Sequence, residues 1–240
     1  MKIMEYYLYG LSGNISYLGI VVITLILGGL TQAYIKHAYK KYSKVSNGIG
    51  MTGADAARAM LESHGVYNVR IRPTSGTLSD HYDPRSRTVN LSEGVYSSTS
   101  VSAIAVACHE CGHAVQHATG YLPMRARSAL VPVVNFSSSV WLILLLIGCL
   151  LNIVGLIWLA IILFAFATLF HLVTLPVEFN ASRRGLAFIH DGLGRGYELS
   201  SQVNRGSRKV LRAAALTYVA AALTSVLQLL YFASRYLGNE

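Results

Sequence analysis

The stretch "ISYLGIVVITLILGGLTQAYI" (residues 15–35) contains no charged residue. An α-helix rises 1.5 Å per residue, so about 20 apolar residues span the hydrocarbon core of a bilayer. The lysines that flank this stretch follow it, and no small-residue cleavage site ends it. We therefore predict an uncleaved membrane anchor and not a signal peptide.

Three further segments are long and apolar enough to cross a membrane. Residues 134–151 and 153–175 are almost continuously apolar, whereas residues 213–232 are rich in alanine and hydroxyl residues, which suit close helix packing in lipid. Of the 240 residues, 53% are hydrophobic and 13% charged, against about 25% charged in a typical soluble domain. We predict a predominantly α-helical integral membrane protein with about four transmembrane helices.

The distribution of Lys and Arg predicts the orientation. Eighteen of the 20 lie in residues 36–127 or 183–212, two stretches that four spans put on the same side of the membrane. Positive residues near span ends stay in the cytoplasm, so both termini should be outside. The predicted organisation is an extracytoplasmic N-terminus at 1–14, transmembrane helices at 15–35, 134–151, 153–175 and 213–232, and cytoplasmic segments at 36–133 and 176–212.

The net charge of +9 is explained by a basic face next to anionic lipid. The sequence has no basic strand interleaved with aromatic residues and no groove-reading helix, so we expect the lipid bilayer as a partner and no nucleic acid. The sequence contains three cysteines, and two of them are predicted on the cytoplasmic side. An odd number and a reducing compartment both argue against a disulfide framework.

The first cytoplasmic segment combines helices and strands. Residues 52–63 predict a short amphipathic helix with Thr52 as its N-cap and a capping box. Residues 66–73 predict a strand, and residues 78–92 predict a β-hairpin around an Asp-Pro turn. Residues 97–120 predict a helix that begins in a cluster of N-cap residues and ends at a glycine. We expect a small α+β region.

The last of these helices carries "CHECGHAVQH" (residues 108–117). His109 and His113 are four residues apart, so both imidazoles project from one helix face. Two neutral imidazoles can share a zinc ion, and Glu110 can accept a proton from water at that ion. The H-E-x-x-H pattern is typical of metallopeptidases. A helix surface without function is the alternative, but a buried histidine pair beside a glutamate needs compensation, which a metal supplies.

Two other sets of potential ligands lie on the same helix. Three ligands at successive turns spread over about 12 Å, too far for one ion, so we predict that His117 is structural or lines the site. Cys108 and Cys111 have C-x-x-C spacing and leave a His/Cys zinc site as an alternative. We predict that they are packing residues.

The third ligand must come from elsewhere, and the second cytoplasmic segment contains three acids, Glu178, Asp191 and Glu198. Glu178 follows Pro176 at the predicted end of the third span. A helix that continues out of the membrane there would lay Glu178 beside the H-E-x-x-H helix. Asn180 or Ser182 could then orient a ligand from behind.

Four separated stretches resemble one known family. They are "DHYDPRSRTVNLS" (80–92), "CHECGHAVQHATGYLPMRAR" (108–127), "LPVEFNASRRGL" (175–186) and "VLRAAALTYVAAALTSVLQLL" (210–230). Together they resemble the YugP-type membrane zinc metallopeptidases, distant relatives of the HtpX and CAAX prenyl protease group. The resemblance covers residues 52–230.

The resemblance implies a zincin-like catalytic region in a bacterial plasma membrane. It implies one zinc ion per chain held by His109, His113 and Glu178, with Glu110 as general base. The remoter relatives often place an aspartate shortly after the third-ligand glutamate, where it braces a histidine. Here Asn180 and Ser182 stand nearby instead.

We therefore expect a zinc-dependent endopeptidase that hydrolyses peptide bonds of membrane or membrane-proximal proteins at the cytoplasmic face. The residues that could stabilise the transition state, or orient a ligand, are His81, Asn180, Arg184, His190 and Tyr197. The hairpin at 78–92 could offer an edge strand with which an extended substrate pairs; a purely structural hairpin is the alternative.

Two other functions stay open. "HDGLG" (190–194) resembles the Asp-Gly stretch of site-2-type intramembrane proteases, which would make Asp191 the third ligand. The other alternative is a non-catalytic membrane scaffold with a structural zinc ion or none. An intact Glu110 argues against the scaffold, because a structural site needs no base.

Overall fold

The computed structural model describes residues 2–237, and the side chains of residues 15–193 and 196–236. Met1 and residues 238–240, which we expect on the outer side of the membrane, are not among the described residues. The elements in chain order are α1 (Lys2–Tyr42), α2 (Gly53–Ser63), β1 (Arg70–Thr74), β2 (His81–Asp83), β3 (Thr88–Ser92), α3 (Glu93–Tyr96), α4 (Val101–Ala118), α5 (Leu122–Leu150), α6 (Val154–His190), α7 (Gly192–Arg195) and α8 (Ser201–Leu237).

In the described part of the chain, four helices are long and apolar enough to cross a membrane, namely α1, α5, α6 and α8. They cover the four predicted segments except Leu151 and Ile153, which lie in the turn between α5 and α6, and each helix extends beyond its segment. Helix α6 continues through Pro176 to His190, although a proline removes one backbone donor from the helix interior. The structure thus confirms a helical membrane protein, and the third predicted span and the residues that follow it form one helix.

One compact unit contains residues 126–174, with the chain before residue 32 and after residue 217. Its core holds a cluster of aromatic rings. Trp141 and Phe164 have ring centroids 4.6 Å apart, and Phe232 packs edge-on against Phe164 at 6.0 Å. Many large apolar side chains in these helices are exposed, as expected of surfaces that face lipid.

The second compact unit contains residues 32–125 and 175–217. Its sheet has the order β1-β3-β2, with β3 parallel to β1 and antiparallel to β2. The predicted hairpin is therefore confirmed. Its turn is closed by the Asp83 carboxylate, which accepts hydrogen bonds from the backbone of Arg85 and the hydroxyl of Ser86.

The first strand begins later than predicted, at Arg70. The residues before it cap helix α2: Gly65 adopts φ +67°, and the Val66 N–H donates to the Leu61 carbonyl at 2.9 Å. Because these residues form the C-terminal end of α2, the sheet begins only after them. At the other end of α2, Thr52 and Asp55 form the predicted capping box.

Helix α4 is the centre of this unit. The Ser100 hydroxyl accepts from the Ala103 N–H at its start, and Gly120 with φ +64° follows its end. Nearly every residue of α4 is buried, and the helix packs against α2 and against strands β2 and β3. The helix that carries the H-E-x-x-H pattern is thus an interior helix, where polar side chains need partners.

Two glycines let α4 and α6 approach closely. A Cβ atom at position 112 would lie 2.6 Å from the carbonyl oxygen of Ala181 in α6. A Cβ atom at position 185 in α6 would lie 3.0 Å from the carbonyl oxygen of Cys108 in α4. The two backbones touch at both points, so any larger residue would push the helices apart.

We expect Gly112→Ala and Gly185→Ala each to destabilise the protein by about 1–3 kcal/mol, because the added methyl group overpacks a backbone contact. Thermal unfolding in detergent measures the change. Gly155→Ala is the matched control, since it lies in α6 and its Cβ would meet nothing within 4 Å. Equal stability of all three variants would contradict the close contact.

Candidate metal centre

Two histidines of α4 and one glutamate of α6 meet in the interior of the second unit. The Glu178 Oε2 lies 3.3 Å from His109 Nε2 and 3.5 Å from His113 Nε2. All three residues are buried, and Glu178 is only 1% exposed. Within the described part of the chain, this is the group of His, Cys, Asp and Glu side chains that could hold a metal ion, with its ligand atoms within 4.8 Å of one another.

The remaining nitrogen of each imidazole contacts a polar side chain. His109 Nδ1 lies 3.1 Å from the Ser182 hydroxyl, and His113 Nδ1 lies 3.1 Å from Gln116 Oε1. Partners of this kind fix the orientation of a metal-binding ring and raise its basicity. The structure thus places the predicted Ser182 behind His109.

A chain of hydrogen bonds determines which way the Gln116 amide points. Arg184 Nε can only donate, and it donates to Asn180 Oδ1 at 2.8 Å. The same oxygen accepts from Gln116 Nε2 at 3.0 Å, and Gln116 Nε2 also donates to the Val177 carbonyl at 2.8 Å. The Gln116 Oε1 is therefore the atom that faces His113.

The tautomer of His113 follows from this orientation. Because Gln116 Oε1 only accepts, His113 Nδ1 must carry the hydrogen. In the neutral ring, Nε2 then has a free lone pair, and Nε2 is the atom that lies 3.5 Å from Glu178 Oε2. A lone pair aimed at a carboxylate oxygen is unfavourable unless a cation lies between them, so the donor set fits a metal ion.

The electrostatics of the site also favour a cation. Burial opposes the charged form of the His113 imidazole, but the hydrogen bond to Glu178 and the charges of Glu110 and Glu178 outweigh it and raise the pKa of His113 above the ordinary 6.5. The Glu110 carboxylate thus contributes to the negative field at this ring. A buried region that holds two carboxylates binds either a proton or a metal ion.

The other polar residues of α4 have separate roles. Burial raises the pKa of the Cys108 and Cys111 thiols, and neither cysteine belongs to the group of described residues that could hold a metal ion. Both are free cysteines in the hydrophobic core. His117 Nδ1 lies 2.8 Å from the Tyr82 hydroxyl on β2, so it links α4 to the sheet.

The candidates for stabilising the transition state are spread over the unit. Arg184 belongs to the hydrogen-bond chain behind His113, as does Asn180. His81 contacts the Ser79 carbonyl and the Asn90 side chain, and His190 Nε2 lies 3.3 Å from Arg208.

Two further polar residues of the second cytoplasmic segment stand outside the metal group. The Tyr197 N–H bonds to the Gly192 carbonyl, and the Tyr197 side chain is exposed. Asp191 precedes the short helix α7 and does not belong to the group of three described residues that could hold a metal ion.

Gln116 belongs to the site but was not predicted from the sequence. Its position, three residues after His113 on the same helix face as the two histidines, is the feature of the sequence that indicates its role. A fully buried glutamine in an apolar helix requires partners for both ends of its amide, so its burial would have pointed to a role.

The sequence profile of a family described as "Putative neutral zinc metallopeptidase" matches residues 17–236. The chain belongs to this family. It is 48% identical, over 92% of its own length and 97% of the relative's, to the protein of Bacillus subtilis (strain 168) named "Putative membrane protease YugP". The expected family is thereby confirmed, zinc is the metal that the family implies, and a polypeptide is the class of substrate. No solved structure matches the chain.

We expect Gln116→Leu to lower the zinc affinity about 10–100-fold, because His113 loses the acceptor that fixes its tautomer. Competition with a chromophoric chelator measures the affinity in detergent. His117→Gln changes a neighbouring residue on the same helix and should keep the wild-type affinity. Unchanged zinc binding in Gln116→Leu, with a normal unfolding temperature, would contradict the hydrogen-bond chain.

Proposed function

We propose that this membrane protein is an endopeptidase that hydrolyses peptide bonds of membrane or membrane-proximal proteins at the cytoplasmic face. His109, His113 and Glu178 would hold one zinc ion, and Glu110 would be the general base. The observation that carries the proposal is the convergence of both Nε2 atoms on one buried carboxylate oxygen, at 3.3 and 3.5 Å.

When bound, zinc would polarise the carbonyl of the scissile bond and make a water molecule more acidic. Glu110 would accept the proton of the attacking water and pass it to the leaving amine. Gln116 and Ser182 would keep the two imidazoles in orientation throughout. These roles use one carboxylate as a ligand and the other as a base, which explains why the site holds two.

The substrate would bind as an extended strand beside β2. This strand is at the edge of the sheet, and its Tyr82 contacts His117 one turn beyond His113 on α4. A cavity of about 450 Å³ lies there, lined by residues that include Tyr82, Ala114 and His117. An edge strand supplies backbone hydrogen bonds to any sequence, and the cavity would select a side chain.

The site would face the cytoplasm and stay close to the bilayer. Glu178 lies in the same helix as the apolar segment 153–175, only three residues after it, or about 4.5 Å along the axis. The excess of Lys and Arg in the two segments that build the site supports a cytoplasmic position. Substrates held at the membrane surface would then be the accessible ones.

Glu110→Gln should lower peptide hydrolysis about 10²–10⁴-fold while zinc stays bound, because the amide cannot accept the proton. Purified protein in detergent is incubated with a peptide library, and new termini are identified by mass spectrometry. Zinc content is measured on the same samples. Glu178→Ala should lose both zinc and hydrolysis, and Asp191→Ala should keep both.

If Asp191→Ala lost zinc and hydrolysis while Glu178→Ala kept both, a site-2-type intramembrane protease that uses Asp191 would be favoured. If the wild type and all variants kept zinc but none hydrolysed a peptide, the scaffold would be favoured. Either result overturns the proposed function.

The orientation predicts that Arg72→Cys, made in a Cys149→Ser background, reacts with a membrane-impermeant maleimide in inverted vesicles but not in intact cells. Arg72 is an exposed residue of β1. Cys108 and Cys111 do not interfere, because both are buried and keep their protons. Labelling in intact cells would reverse the orientation.

A further inference from the structure

The first three turns of α8 carry a concentrated positive charge. A cavity of about 430 Å³, here called the cationic cavity, is lined by Arg205, Arg208, Lys209 and Arg212 together with His190 of α6. None of the described residues that line it is Asp or Glu. Charges of one sign at three- and four-residue spacing repel one another on a helix, so this arrangement weakens α8 when nothing is bound.

Among the residues whose side chains are described, no Asp or Glu forms an ion pair with these four cations. Among the described side chains, the ion pairs join Arg58 to Asp55 and the two site histidines to Glu178, and none involves this face of α8. Arg208 instead lies 3.3 Å from His190 Nε2. Since a guanidinium only donates, the imidazole accepts there and adds no negative charge. The described lining of the cavity therefore contributes positive charge and no anionic group.

A second cavity adjoins the first. It measures about 530 Å³ and shares His190, Arg208 and Arg212 with the cationic cavity. The rest of its lining is mostly apolar and comes from α6 and α8, including Leu186 and Leu211. We call it the apolar groove. A ligand that fills both must combine an anionic group with a hydrocarbon chain.

We propose that the cationic cavity and the apolar groove form one binding site for an anionic phospholipid. The arginine forks would hold the phosphate, since their planar donor pairs match its oxygens, and an acyl chain would lie along Leu186 and Leu211. Helix α8 continues directly into the apolar segment 213–232. A basic pocket between helices, next to the apolar part of a span, is the usual form of a headgroup site.

Native mass spectrometry of the protein in a neutral detergent tests this site, with phosphatidylglycerol as the probe. We expect one retained phosphatidylglycerol per chain, at least tenfold preference over phosphatidylcholine of the same acyl chains, and at least tenfold weaker retention in Arg208→Gln/Arg212→Gln. Both arginines are exposed, so the fold should survive. Arg70→Gln/Arg72→Gln removes the same charge from β1 and should retain the lipid like the wild type.

Three outcomes would overturn the proposal. Equal retention of both lipids would show that the headgroup charge is not recognised. Equal loss in the two double variants would show diffuse attraction instead of a site. Displacement by inorganic phosphate at the lipid's own concentration would make it a site for free phosphate. The readout is lipid mass, so it is independent of zinc content and of hydrolysis.

Discussion

The backbone contact between α4 and α6 is the constraint on which the metal centre depends. Glu178 is almost completely buried, and a buried carboxylate is unfavourable by several kcal/mol unless it is paired. Its partners are on another helix, so the two helix axes must be closer than ordinary side chains permit. Gly112 and Gly185 allow that approach, one from each helix.

The same contact explains why the hydrogen bonds behind the histidines come from α6. Val177, Asn180 and Ser182 lie within about one and a half turns around Glu178 and contact α4 through Gln116 or His109. One pair of helices thus supplies the three candidate ligands and the groups that orient the rings. These hydrogen bonds restrain the orientation of both imidazole rings.

Much of this could be predicted from the sequence, because the signals are local. Apolar length predicted the four helices, the capping residues predicted α2, the Asp-Pro turn predicted the hairpin, and the H-E-x-x-H spacing predicted two residues of the centre. The parallel pairing of β1 with β3 was not predictable, since it joins segments by long-range contacts. Nor was Gln116, whose partners are 61 and 64 residues away. Glu178 could be predicted only because the two histidines require a third ligand and few acids are predicted on the same side of the membrane.

The order of the centre along the chain has a consequence for biosynthesis. His109 and His113 leave the ribosome well before Glu178, and the apolar segments 134–151 and 153–175 separate them. A nascent chain that lacks α6 has two of the three candidate ligands, together with Glu110, but not Glu178. The group that could hold a metal ion is therefore completed only after both apolar segments have been synthesised.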